Sequence, residues 1–145
     1  MMRAWTLPMS LVACGVLVAS PRARDGSPAA AVGLCLVFVV LAWLYSPLAF
    51  PRSIGAAEAQ RRSAADGRPV VYWRAGCTYC MRLRIRLGRN AGRLHWVDIR
   101  RDPAGAAEVR AANGGDETVP TVVVGGRAHV NPDPAWVRGQ LPPST

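Results

Sequence analysis

The chain contains no lysine: all eighteen basic residues are arginine, set against nine acidic residues, giving a net charge of +9 over 145 residues. Arginine-only usage reads as the imprint of a GC-rich coding sequence, and the charge excess implies attraction to anionic surfaces. Histidine is scarce too, with only His95 and His129 present. The chain has one CxxC and no second CxxC or CxxH pair. The CxxC thus lacks the second ligand pair of a tetrahedral zinc site, and no metal is expected. No nucleic-acid-binding motif accompanies the basic balance, so no nucleic-acid partner is expected either. Internal repeats are absent, and beyond residue 50 so are long apolar runs.

The apolar residues are gathered at the N-terminal end. Residues 29–50 lack any charged side chain, a stretch of about 22 positions that suffices for a membrane-crossing helix. Ala4 to Ser20 is also uncharged and carries Pro8; at about 17 residues it is a marginal span. A cleaved leader would end at Val18-Ala19-Ser20, but Pro21 follows, and Leu11-Val12-Ala13-Cys14 is shaped like a lipoprotein box yet runs into more apolar sequence. The reading is a membrane anchor over 1–50 with two transmembrane helices, about 4–20 and 29–50. Arg22 and Arg24 lie between them, whereas Arg3, Arg52, Arg61, Arg62 and Arg68 lie outside. The positive-inside rule then predicts a two-pass protein of the cell membrane with both termini and the C-terminal domain cytoplasmic. Trp5 and Trp43 fit the membrane interface. Cys14 and Cys35 each fall about six residues, or ~9 Å, from the connecting loop, which predicts similar depth. They are read either as an intramembrane dithiol relay or as two small apolar residues.

Residues 51–67, alanine-rich and polar, are read as a linker lifting a domain at 68–145 off the membrane, helical in part between Ile54 and Ala65. Val70 to Arg74 reads as a buried strand and Cys77 to Arg89 as a helix with Leu83 and Leu87 on one face. Leu94 to Ile99 alternates as a second strand. Pro103 to Ala112 opens with proline in a first turn and closes at Asn113-Gly114-Gly115. Thr121 to Val124 and Arg127 to Val130 flank Gly125-Gly126 as a hairpin, and Pro134 to Leu141 closes the chain as a short helix. The order is βαβ then ββα, an α/β arrangement with a four-stranded mixed sheet.

The chemistry is carried by Cys77-Thr78-Tyr79-Cys80 and, about forty residues later, Thr118-Val119-Pro120. A strand-to-helix CxxC puts the first sulfur at a helix N-terminus, where free N–H groups and the dipole favour thiolate. Cys77 is therefore the candidate nucleophile, and Cys80, one turn inside, the candidate resolving thiol. Arg74 and Arg82 would add positive potential if their side chains fold toward the sulfur.

These motifs, with Val97-Asp98-Ile99, Asn113-Gly114-Gly115 and Asn131-Pro132, resemble the thioredoxin fold in its minimal glutaredoxin form, and within it the mycoredoxins. The resemblance covers roughly Pro69 to Leu141. It implies a thiol–disulfide oxidoreductase in which Cys77 takes a small thiol from a mixed disulfide onto itself, with Cys80 dispensable in that monothiol cycle. It implies that Tyr79 flanks the bound thiol and that Pro120 is cis. Thr118 and Val119 would bind the substrate backbone, and Gly114 and Gly115 would shape the preceding turn. No bound cofactor is implied, only mycothiol or glutathione as cosubstrate, with protein or small-thiol mixed disulfides as partners of a monomer. Gly76 departs from the pattern by standing where a bulky residue usually precedes the first cysteine. A transmembrane relay through Cys14 and Cys35, and a non-catalytic adaptor, are the alternatives. Dependence on those cysteines would mark the first, and indifference to Cys77→Ser the second.

Overall fold

The computed structural model describes residues 6–24, 26–44 and 50–143. They fall into two units, divided between Ala49 and Phe50.

The first unit is a pair of helices, α1 (Thr6–Arg24) and α2 (Pro28–Leu44). Their apolar side chains are largely exposed, Leu17 at 71% and Met9 at 65% among them. No helix among the described residues is long and apolar enough to cross a membrane, so the two expected spans are not supported. The 17 residues of α2 reach about 26 Å at the helical rise, short of a hydrocarbon core of about 30 Å. Helix α1 continues through Pro21, Arg22 and Arg24, past the expected end of the first span at Ser20. Ala4, Trp5 and residues 45–49, the outer ends of the expected spans, lie outside the described residues. Cys14 and Cys35, expected at similar depth, are offset along the helix pair. Gly15 abuts Phe38, three residues past Cys35, and Cys35 instead lines a groove with Val16 and Ala19. Both thiols are free, Cys14 exposed and Cys35 half-buried.

The second unit is built on a four-stranded sheet. Its strands β1 (Val70–Trp73), β2 (His95–Asp98), β3 (Thr121–Val124) and β4 (Arg127–Val130) lie in the order β2-β1-β3-β4. β1 is parallel to β2, with Tyr72 beside Val97, and antiparallel to β3, with Val71 beside Val122; β3 and β4 form the Gly125-Gly126 hairpin. Every residue of β1 and β2 is buried, as strands covered on both faces require.

Between β1 and β2 runs α4 (Thr78–Leu87), followed by a 3-10 segment from Gly88 to Arg93. Gly88, at φ +55°, stops the helix two residues before the predicted end. Helix α5 (Pro103–Ala112) lies as predicted, and Gly105 within it comes close to Val97 and Tyr72. Helix α6 (Pro134–Gly139), packed against α4, is shorter than expected and closes at Gln140.

Residues 51–67, read as a linker, and Phe50, read as the last residue of the second membrane span, are instead part of this unit. Phe50 stacks on Trp73 at 3.9 Å between ring centroids and meets Trp96 edge-on at 5.6 Å. Ser53 bridges to Trp96 along the free edge of β2, where the Ile54 N–H donates to the Trp96 carbonyl at 2.9 Å and Ser53 Oγ accepts from the Asp98 N–H at 2.7 Å. Helix α3 (Ala56–Asp66) then buries Ala56 and Ala59 while packing against β2, β1 and α5. Alanine here serves close approach, which composition alone could not distinguish from a spacer.

Candidate active site

The turn ahead of α4 is set by Gly76 at φ +81°, a backbone region that L side chains rarely enter. This accounts for glycine at the position where the sequence departs from the pattern it otherwise resembles. Cys77 follows as the N-cap of α4, extended at φ −84° and ψ 113°, and its Sγ accepts the Cys80 N–H at 3.2 Å. As a thiol, Sγ donates to the Val119 carbonyl 3.3 Å away. The Val119–Pro120 bond is cis. Cys77 is partly exposed and Cys80 wholly buried.

The two sulfurs are driven in opposite directions. Cys77 is lowered to about 6, first by the Cys80 thiol, then by the N–H groups of Cys80 and Tyr79 and the charge of Arg74, against partial burial. Cys80 is pushed up, first by its hydrogen bond to Cys77 and then by burial. One sulfur is thus a thiolate at neutral pH, and the other keeps its proton and donates it as a hydrogen bond.

The cis-proline loop is braced from behind. Asn113 Nδ2 donates to the Thr118 carbonyl at 3.1 Å and to Thr121 Oγ1 at 3.2 Å, and Thr121 Oγ1 donates to the same carbonyl at 2.8 Å. On the far side, the Asn131 N–H donates to the Pro120 carbonyl at 2.7 Å. The sequence reading places Asn113 at the close of a helix and Asn131 in a motif but gives none of these three residues a bracing role, because no spacing signals these hydrogen bonds. Thr118 is exposed, with Val119 and Pro120 buried beside it.

Gly114 and Gly115, at φ +65° and +106°, form the turn leaving α5 and feed the loop. Tyr79, 57% exposed, stands at the lip of a groove of roughly 220 Å³ lined also by Arg82, Leu83, Asn131, Pro132, Asp133 and Pro134. The structure therefore brings Cys77, Cys80, Val119, Pro120 and Tyr79 together, while the two glycines act at a turn. Among the described residues, no group of three or more His, Cys, Asp or Glu side chains is placed to hold a metal ion.

Residues 70–130, from β1 through β4, match the glutaredoxin family model. Two proteins of Mycobacterium tuberculosis that bear the glutaredoxin name, one from strain H37Rv and one from strain CDC 1551, are each 38% identical over 73 residues. The match covers 50% of this chain and 87% of theirs. The chain belongs to the glutaredoxin family. As a glutaredoxin it is a thiol–disulfide oxidoreductase, served by a small thiol of the glutathione type rather than by a prosthetic group. The residues matched by the family model hold the CxxC helix and the proline loop, whereas Phe50, α3 and α6 lie outside them.

Proposed function

We propose that this glutaredoxin reduces mixed disulfides between proteins and a small thiol through a monothiol cycle at Cys77, with mycothiol as the cosubstrate. The carrying observation is a lowered, partly exposed Cys77 3.3 Å from the Val119 carbonyl, with the raised Cys80 beneath it. An extended substrate backbone pairs with Val119, which brings its sulfur to Cys77. The Cys77 thiolate attacks the small-thiol sulfur, the old S–S bond breaks, and the protein leaves as a thiolate that takes a proton from solvent. A second small-thiol thiolate attacks the Cys77 adduct, releasing a dimer of the small thiol and regenerating the Cys77 thiolate. One free small thiol is consumed per mixed disulfide: its sulfur joins the one carried on Cys77 in the small-thiol dimer, and the protein sulfur is released as a thiol. Cys80 supplies a side path: after losing its proton it attacks the adduct, expels the small thiol and leaves a Cys77–Cys80 disulfide, which two further thiols reduce.

The likeness to mycoredoxins and the mycobacterial relatives support mycothiol. Glutathione is a second reading favoured by one observation, since it carries net negative charge and both Arg74 and Arg82 lie at the site. Turnover of a mixed disulfide by the full chain with each thiol in turn decides between them, and failure with both defeats the oxidoreductase assignment.

The exposed apolar side chains of α1 and α2 support attachment of the first unit to the cell membrane, with the thiol site on the cytoplasmic side. Flotation of the full chain with liposomes, set beside a fragment of residues 50–145 that stays behind, is the expected result; equal behaviour of the two defeats the attachment.

A further inference from the structure

Helix α4 buries Cys80, Leu83 and Leu87 and turns its other side to solvent. That outer side carries Tyr79 and Ile85, 57% and 59% exposed, with exposed Arg82 and Arg86, and Arg89 continues it into the 3-10 turn. Steps of three and four residues align these side chains in one stripe beginning two positions after Cys77. From Gly67 to Val97 the chain has seven arginines and no acidic residue. Among the described residues, the ion pairs engage Arg61, Arg62, Arg68, Arg101 and Arg110 but not Arg82, Arg86 or Arg89. Asp133, which shares the groove with Arg82, caps α6 by accepting the N–H groups of Ala135 and Trp136 with Oδ1 and forms no ion pair with Arg82, and Arg86 and Arg89 lie outside that groove.

A row of like charges three and four residues apart repels itself, and the packing of α4 does not require it. An anionic occupant relieves that repulsion. We propose that the stripe docks an acidic polypeptide segment flanking the disulfide of the protein substrate. Whatever lies along this stripe abuts the thiol at its Tyr79 end. A bilayer seated there would cover Cys77, whereas an acidic segment delivers its own disulfide to it. Ile85 gives that segment an apolar contact between the charges. This inference rests on the thiol–disulfide assignment of Cys77 and leaves the exchange chemistry unchanged, adding selectivity in the encounter.

The test uses the full chain, a small-thiol reductant, and two mixed-disulfide peptides identical except for glutamate or arginine flanks. Hydroxyethyl disulfide serves as an uncharged substrate. The wild type is expected to prefer the acidic peptide by about tenfold in kcat/KM at low ionic strength. At about 1 M salt, where screening acts within about 3 Å, the preference falls toward unity. R86E/R89E should reverse it while reducing hydroxyethyl disulfide at the wild-type rate. If charge reversal also slows the uncharged substrate, R86Q/R89Q decides: its preference falls below about threefold if the stripe docks acid, and an undiminished preference refutes docking. Equal use of both peptides by a wild type that still reduces hydroxyethyl disulfide overturns the proposal and leaves the enzyme reading standing. An intact peptide preference in R86E/R89E with weaker flotation on phosphatidylglycerol vesicles gives the stripe to a bilayer and likewise overturns it. Failure of the wild type on hydroxyethyl disulfide would strike the enzyme reading instead.

Discussion

Cys77 depends for its ionisation more on the residue three positions along than on the helix alone, since the Cys80 thiol is the largest influence lowering it to about 6. The sign is fixed by charge: a donor to Sγ stabilises the thiolate, so removing it must raise the pKa. Cys80→Ala is therefore expected to move the Cys77 titration upward, toward the ordinary thiol range of about 8.5. Thiolate absorbance at 240 nm against pH would record the shift. The wild-type rate on a small disulfide should rise through pH 6 and level off, whereas the Cys80→Ala rate should still be rising at pH 7.5. An unmoved midpoint would leave helix-terminus N–H groups and Arg74 as the sole causes. At this scale the sequence was legible where a motif is local: CxxC and TVP announced Cys77, Cys80 and Pro120. Asn113 and Thr121 brace the proline loop through contacts up to eight residues apart, and nothing in their spacing announces a hydrogen bond.

Among the elements, α5 and the β3–β4 hairpin were readable to the residue because their punctuation is chemical: Pro103 at the first turn, Gly125-Gly126 at the reversal. The end of α4 was not, since the arginines beyond Gly88 continue a helical spacing while the glycine changes the backbone. Asp102 shows what spacing conceals altogether. Its carboxylate caps α5 by accepting the Gly105 N–H at 3.0 Å and also accepts the Ala56 N–H at 2.6 Å at the start of α3. These two backbone donors lower its pKa. One side chain thus closes two helix starts, and each cap contributes about 1 kcal/mol. Asp102→Ala is expected to destabilise residues 50–145 by about 2 kcal/mol in denaturant unfolding at pH 7. A folded-state pKa below the unfolded value of about 3.9 means the charge-dependent part is fully present above about pH 5 and is lost as pH falls through the folded pKa. The gap between wild type and variant should therefore be flat from pH 5 to 8 and shrink below pH 4. A gap that persists unchanged into acid would assign the loss to packing.

At the scale of the molecule, the boundary falls at Phe50 and not at Arg68, and the reason is physical. β2 is an edge strand of this sheet, and an uncovered edge invites further pairing. Residues 50–54 cover it through the Ser53 bridge, while Phe50 covers the Trp73 and Trp96 rings from which packing would otherwise be missing. Neither role is visible in the sequence, where Phe50 ends the uncharged run read as a membrane span and residues 51–67, alanine-rich and polar, have the composition of a spacer. Removing residues 50–67 deletes the buried Phe50 side chain, at about 3–5 kcal/mol, from a domain whose whole stability is expected within about 5–15 kcal/mol. It also bares the sheet face that Ala56 and Ala59 close. A fragment of residues 50–145 is therefore expected to unfold cooperatively. A fragment of residues 68–145, which still contains Cys77, Cys80 and the proline loop, should melt at least about 15 °C lower or fail to fold. Thermal unfolding followed by circular dichroism compares the two directly, and Phe50→Ala in the longer fragment separates the aromatic contribution from that of α3. Equal melting temperatures would return residues 51–67 to the role of a tether. They would also mean that the family's matched segment is self-sufficient in this chain, with the Phe50 stack contributing nothing to its stability.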